Sequence, residues 1–130
     1  MRPSLPNQSD SLFSLIRLAS VAVTVSLMAP GCGPNCQTTC DKIFLAEPTG
    51  CGIEHPGKSS DDERRDCISA CADALDVAGA IPDGYDPDER QSGSQSVQLE
   101  TDEQAASWME CVDRTACDYL NDGYCAPVWF

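Results

Sequence analysis

The side chains of this chain best equipped for chemistry are its nine cysteines. Four of them form two CX3C pairs, Cys36 with Cys40 and Cys67 with Cys71, and the others are Cys32, Cys51, Cys111, Cys117 and Cys125. Paired thiols can hold a soft metal, cycle between dithiol and disulfide, or cross-link the chain permanently. The CX3C spacing would suit zinc, but the thiols of an exported chain oxidise before they meet it, which leaves copper(I) as the metal alternative. A thioredoxin-like centre needs Cys-x-x-Cys, which does not occur. A redox or copper protein would therefore have to keep its CX3C cysteines reduced.

Three other groups of residues invite a chemical reading. Gly52 to Ser59 (GIEHPGKS) fits the phosphate-cradling pattern G-x-x-x-x-G-K-[ST]. That chemistry needs a buried strand before the loop and a helix N-terminus open to anions. Glu47-Pro48-Thr49-Gly50-Cys51 is no strand, and Asp61, Asp62 and Glu63 occupy the helix start, so the pattern reads as a turn and no nucleotide is expected. His55, the lone histidine, sits between Glu54 and Pro56 and reads as a surface loop residue, so no catalytic residue is assigned. Asp83, Asp86, Asp88 and Glu89 lack the alternating acids and closing Glu of an EF-hand, so no calcium and no other cofactor is expected.

Composition favours permanent cross-links. The whole chain carries a net charge of −13, and its first 31 residues hold Arg2, Arg17 and Asp10, so the remaining 99 carry −14. Such a surface repels nucleic acid and anionic headgroups alike. Only 14 of those 99 residues are Leu, Ile, Val or Phe, too few for a conventional core and typical of disorder when net charge is high. Disulfides lower the entropy of the unfolded chain and can replace the missing core. The cysteines are therefore the expected reason that the chain folds.

The elements that position these cysteines begin with an export signal over residues 1–31. Leu18 to Met28 (LASVAVTVSLM) is an uncharged apolar run, too short for a bilayer span and the right length for a signal-peptide core. Ala29-Pro30-Gly31-Cys32 follows it, and a small residue directly before a cysteine resembles the lipobox of bacterial lipoproteins. The resemblance implies that Cys32 receives a diacylglyceryl group and becomes the new N-terminus. Gly33, where the family places Asp for inner-membrane retention, implies the outer membrane. Cleavage at the same bond by the ordinary signal peptidase, giving a periplasmic or secreted protein, is the alternative. Parity favours the lipid, since acylation of Cys32 leaves eight cysteines for four disulfides.

Residues 32–78 read as a helical hairpin. Its first helix is capped by Asn35 and runs toward Pro48-Thr49-Gly50, with Cys36, Cys40, Ile43 and Phe44 at helical spacing. Its second starts at a capping box, Ser60 with Glu63, and turns Cys67, Ile68, Cys71, Leu75 and Ala78 inward. Each CX3C pair then lies on one helix face, and antiparallel packing sets Cys36 opposite Cys71 and Cys40 opposite Cys67. The arrangement resembles the twin CX3C hairpins of small intermembrane-space proteins in geometry, but the 26 residues between inner cysteines exceed that family's motif and no function carries over.

Residues 79–100, rich in Gly, Pro, Ser and acids, read as a mobile loop. Residues 101–130 read as a third helix and a cysteine-containing tail packed on the hairpin. The helix starts at a box of Thr101 and Gln104 and aligns Ala105, Trp108, Met109, Val112, Ala116 and Leu120 before Asn121-Asp122-Gly123, and Trp129 is expected to pack on Trp108. Nothing in the spacing of Cys51, Cys111, Cys117 and Cys125 sets their pairing. Trp108-Met109-Glu110-Cys111, Cys117 and Gly123-Tyr124-Cys125 are similar to the tail of cysteine-rich small lipoproteins of myxobacteria, which have no assigned activity. The expectation is a mainly α, disulfide-rich domain in the cell envelope. Held to the membrane by Cys32, it would act as a structural or interaction module for an envelope protein partner.

Overall fold

A computed structural model describes residues 33–91 and 97–128. The signal segment, Cys32, residues 92–96, Trp129 and Phe130 lie outside the described residues. The described residues all belong to one compact unit, Cys32–Phe130, and form four helices: α1 (Cys36–Phe44), α2 (Ser60–Leu75), α3 (Asp102–Arg114) and α4 (Cys117–Asn121).

Helix α1 starts where its cap requires. The Asn35 side chain accepts from the Thr38 amide at 3.0 Å and the Asn35 amide donates to Thr38 Oγ1 at 3.1 Å, so two otherwise unpaired donors are satisfied. The helix ends at Phe44, earlier than Pro48, because the chain folds back onto its own terminus. Cys51, Gly52 and Ile53 donate their amides to the carbonyls of Lys42, Leu45 and Ile43 at 2.7, 2.9 and 3.0 Å, and these bonds replace a further helical turn. Gly50 makes the approach possible: a Cβ there would stand 2.5 Å from the Leu45 carbonyl and 2.6 Å from that of Asp41.

Helix α2 is capped by Ser59, whose Oγ accepts from the Asp62 amide at 3.2 Å, and not by Ser60. Glu63 therefore has no capping role and is fully buried. Cys67 and Cys71 face inward and Ile68 packs at the edge, as expected. Leu75 is 43% exposed, Ala78 lies beyond the helix end, and Ala74 takes the inward position.

Helix α3 begins at Thr101, which accepts from the Gln104 amide at 3.3 Å. The reciprocal bond is displaced by one residue, since Gln104 Oε1 takes the Glu100 amide at 2.7 Å. The third helix is not continuous to Leu120. Thr115 and Ala116 are extended (ψ 136° and 154°), Ala116 is exposed, and α4 then sets off with Cys117. Lys42 Nζ fills the break by donating to the carbonyls of Val112, Asp113 and Thr115 at 2.7, 2.8 and 2.9 Å. A lysine from α1 thus terminates α3, with its charge at the negative end of the helix dipole.

The three longer helices pack around Trp108, Phe44, Ile43 and Val112, with Ile53, Leu120 and Val128 closing the ends. Cys40, Cys67, Cys71, Cys111 and Cys125 are members of the same cluster, so sulfur fills space that branched aliphatics occupy elsewhere. Residues 82–91, expected within a mobile loop, are fastened to the tail. Tyr85 donates its hydroxyl to the Ala126 carbonyl at 2.8 Å, Cys125 donates its amide to Pro87 at 3.0 Å, and Gln91 donates its amide to Gly123 at 3.0 Å. Burial, reinforced by Asp86 and Asp88, pushes the Tyr85 phenol well above its ordinary value.

Candidate functional site

The cysteine framework is the most built feature of the molecule. Antiparallel α1 and α2 place Cys36 against Cys71 and Cys40 against Cys67, with Cα separations of 5.7 and 6.0 Å, and both pairs are disulfides. The stapled hairpin follows from the two CX3C spacings, as the sequence led us to expect. The remaining four cysteines pair as Cys51–Cys117 (5.1 Å) and Cys111–Cys125 (5.6 Å). The first ties the fold-back after α1 to the start of α4, and the second ties α3 to the tail. All eight sulfurs from Cys36 to Cys125 are thereby bonded to one another, including those that a copper(I) or CX3C redox centre would have to keep as thiolates. Four disulfides belong to an oxidising compartment outside the cytoplasm. Among the described residues no helix is long and apolar enough to cross a membrane.

The segment from Gly52 to Ser59 is a turn between α1 and α2. Gly52 and Gly57 have φ of 61° and 93°, which suits glycine. The start of α2 that would face a phosphate carries Asp61, Asp62 and Glu63, and Lys58 Nζ lies 3.2 Å from Asp66 Oδ2 on the surface. His55 departs from its expected place on the surface. Its side chain is 11% exposed, and Nδ1 bonds Glu63 Oε1, whose own side chain is wholly buried. The imidazole also meets the Phe44 ring edge-on at 6.3 Å. The pair was not legible beforehand, because Glu63 reads as a first-turn acid and His55 as a residue beside a proline. It gives a hydrogen-bond partner to a carboxyl group that would otherwise be stranded in the core, a structural use of histidine.

Asp41 and Arg64 form a second link between α1 and α2. Partial burial pushes the Asp41 carboxyl up, but the bonds from Arg64 and Gln37 outweigh it and hold the group below its usual 3.8, while the same contact raises Arg64. In the acidic segment Asp88 pairs with Arg114 and Asp86 accepts from the Asp88 amide at 2.9 Å. Among the described residues no three His, Cys, Asp or Glu side chains are placed to share a metal ion.

Open clefts lie on the surface of the described residues. One, of about 330 Å³, lies between the Pro82–Tyr85 turn and Gln104. Another, of about 440 Å³, lies between α1 and the fold-back, with Lys42 and Cys117 in its wall. No protein family, curated protein or solved structure matches this chain, so its role is read from its own residues and geometry.

Proposed function

We propose that residues 32–130 form a lipid-anchored structural or interaction module of a bacterial cell envelope, released from the signal segment at Gly31 and held to the outer membrane by an acylated Cys32. The observation that supports this reading is the closed set of disulfides. Every cysteine from Cys36 to Cys125 has a partner within the domain. Cys32 is the ninth, and it directly follows the apolar run and Gly31. A thiol left over in an oxidising compartment is a liability, and acylation removes it. The two chains of a diacylglyceryl group are enough for stable anchoring, which a single chain does not provide. The partner of such a module is an envelope protein. Metabolic labelling with a fatty-acid analogue tests the anchor: the wild type takes up label and fractionates with membranes, whereas Cys32→Ala does neither. An unlabelled wild type in the soluble fraction would overturn it.

A further inference from the structure

The four disulfides differ in how open they are to attack. Cys40, Cys67 and Cys125 are 0% exposed and Cys111 is 1% exposed, so two bridges are sealed in the core. Cys36–Cys71 is closed at one end, since Cys71 is 0% exposed. Cys51–Cys117 alone has two partly exposed residues, and Cys117 lines the cleft of about 440 Å³ beside Lys42, Thr38 and Pro48. The Lys42 ammonium in that wall, whose three N–H bonds go to the carbonyls ending α3, still sets a positive charge beside an approaching thiolate, while the Asp41 carboxylate that also lines the cleft is paired with Arg64. The elements that this bridge joins also have other fastenings. The fold-back keeps its amide bonds to Lys42 and Ile43 of α1 and to Leu45 just after it, and α4 is held by the buried Leu120 and by the Cys111–Cys125 bridge just beyond it.

We infer that Cys51–Cys117 is a thiol–disulfide exchange site, entered through this cleft by a dithiol that attacks Cys117. The incoming thiolate forms a bond to Cys117 Sγ as the Cys51–Cys117 bond breaks, and Cys51 leaves with the electron pair as a thiolate. The second thiol of the reagent, deprotonated, then attacks its own mixed sulfur and releases Cys117. The net transfer is two electrons and two protons, with the dithiol oxidised to its disulfide and Cys51 and Cys117 reduced. The other three bridges are untouched. The inference is independent of the lipid anchor, since it concerns only the folded domain.

Brief exposure of the native processed protein to dithiothreitol without denaturant, followed by timed alkylation and peptide mapping, tests it. Cys51 and Cys117 are expected to be labelled at least tenfold faster than any other cysteine, with the far-UV circular dichroism of the helices retained at that stage. Earlier labelling of Cys36 and Cys71, or loss of all four bridges together with the helices, would overturn the assignment. A Cys51→Ser/Cys117→Ser variant should keep its helices and lack the fast phase. If that variant does not fold, the time course of the wild type still decides.

Discussion

Replacing Lys42 by Met removes an ammonium group while keeping most of the stem, and so isolates what that charge contributes. Its Nζ satisfies the carbonyls of Val112, Asp113 and Thr115, all within 2.9 Å and two of the three partly buried. Charge-assisted bonds of this kind contribute about 1.5 kcal/mol each, and ordering a lysine side chain costs about 2 kcal/mol, so the expected loss is about 2.5 kcal/mol. In urea, with a slope of about 1 kcal/mol/M suited to a small cross-linked chain, the midpoint should fall by about 2.5 M with all disulfides intact. Lys58→Met is the control. Lys58 lies 3.2 Å from Asp66, both side chains are 43% exposed or more, and the expected change is under about 0.5 kcal/mol. Equal shifts for the two variants, or a Lys42→Met change below about 0.5 kcal/mol, would refute the view that α3 ends on Lys42.

The remaining predictions concern the other supports of the fold. His55→Ala strands the buried Glu63 carboxylate and should cost about 3 kcal/mol in the same titration, whereas His55→Phe combined with Glu63→Met should come within about 1 kcal/mol of wild type; a smaller penalty for the single change than for the double would count against the pair. The depressed Asp41 carboxyl stabilises the folded state above its unfolded value of 3.8, and this contribution is lost as pH falls through the lower folded value. Acid titration of stability should therefore show a decline below about pH 4 that Asp41→Asn makes shallower, and an unchanged acid limb would dismiss the Asp41–Arg64 link. Complete reduction of all four bridges should abolish the helical circular dichroism, because each closes a loop of 14 to 66 residues worth about 3 to 4 kcal/mol in the chain-entropy account. Retention of more than about half of the signal would show that the apolar core suffices.

What could be read from the sequence was local and periodic. Two CX3C pairs at i, i+4 fix a helix face by geometry alone, so two disulfides and the hairpin followed without tertiary knowledge. Asn35 and Thr101 announced their helices because capping is a short-range interaction. Ser60 misled by one residue, since Ser59 offers the same hydroxyl and lets Glu63 turn inward to His55. The break at Thr115–Ala116 was invisible for a different reason. The group that ends α3 comes from α1, 70 positions away from Val112, while Ala116 and Leu120 continue the helical stripe of apolar residues. Cys51–Cys117 and Cys111–Cys125 depend on that same break, which turns α4 toward the fold-back, so no spacing rule could have paired them.

The presence of five cysteines in the central cluster bears on where in the cell this chain can acquire a structure at all. A core whose packing atoms include bonded sulfur pairs is not expected to assemble by hydrophobic collapse alone, because the 14 Leu, Ile, Val and Phe side chains of residues 32–130 offer too little apolar surface to offset the entropy of the reduced domain. In a compartment where glutathione and thioredoxin keep thiols reduced, the domain is therefore expected to stay unfolded. Folding is thus coupled to oxidation: the compartment that closes the four disulfides is also the one in which the domain takes its shape.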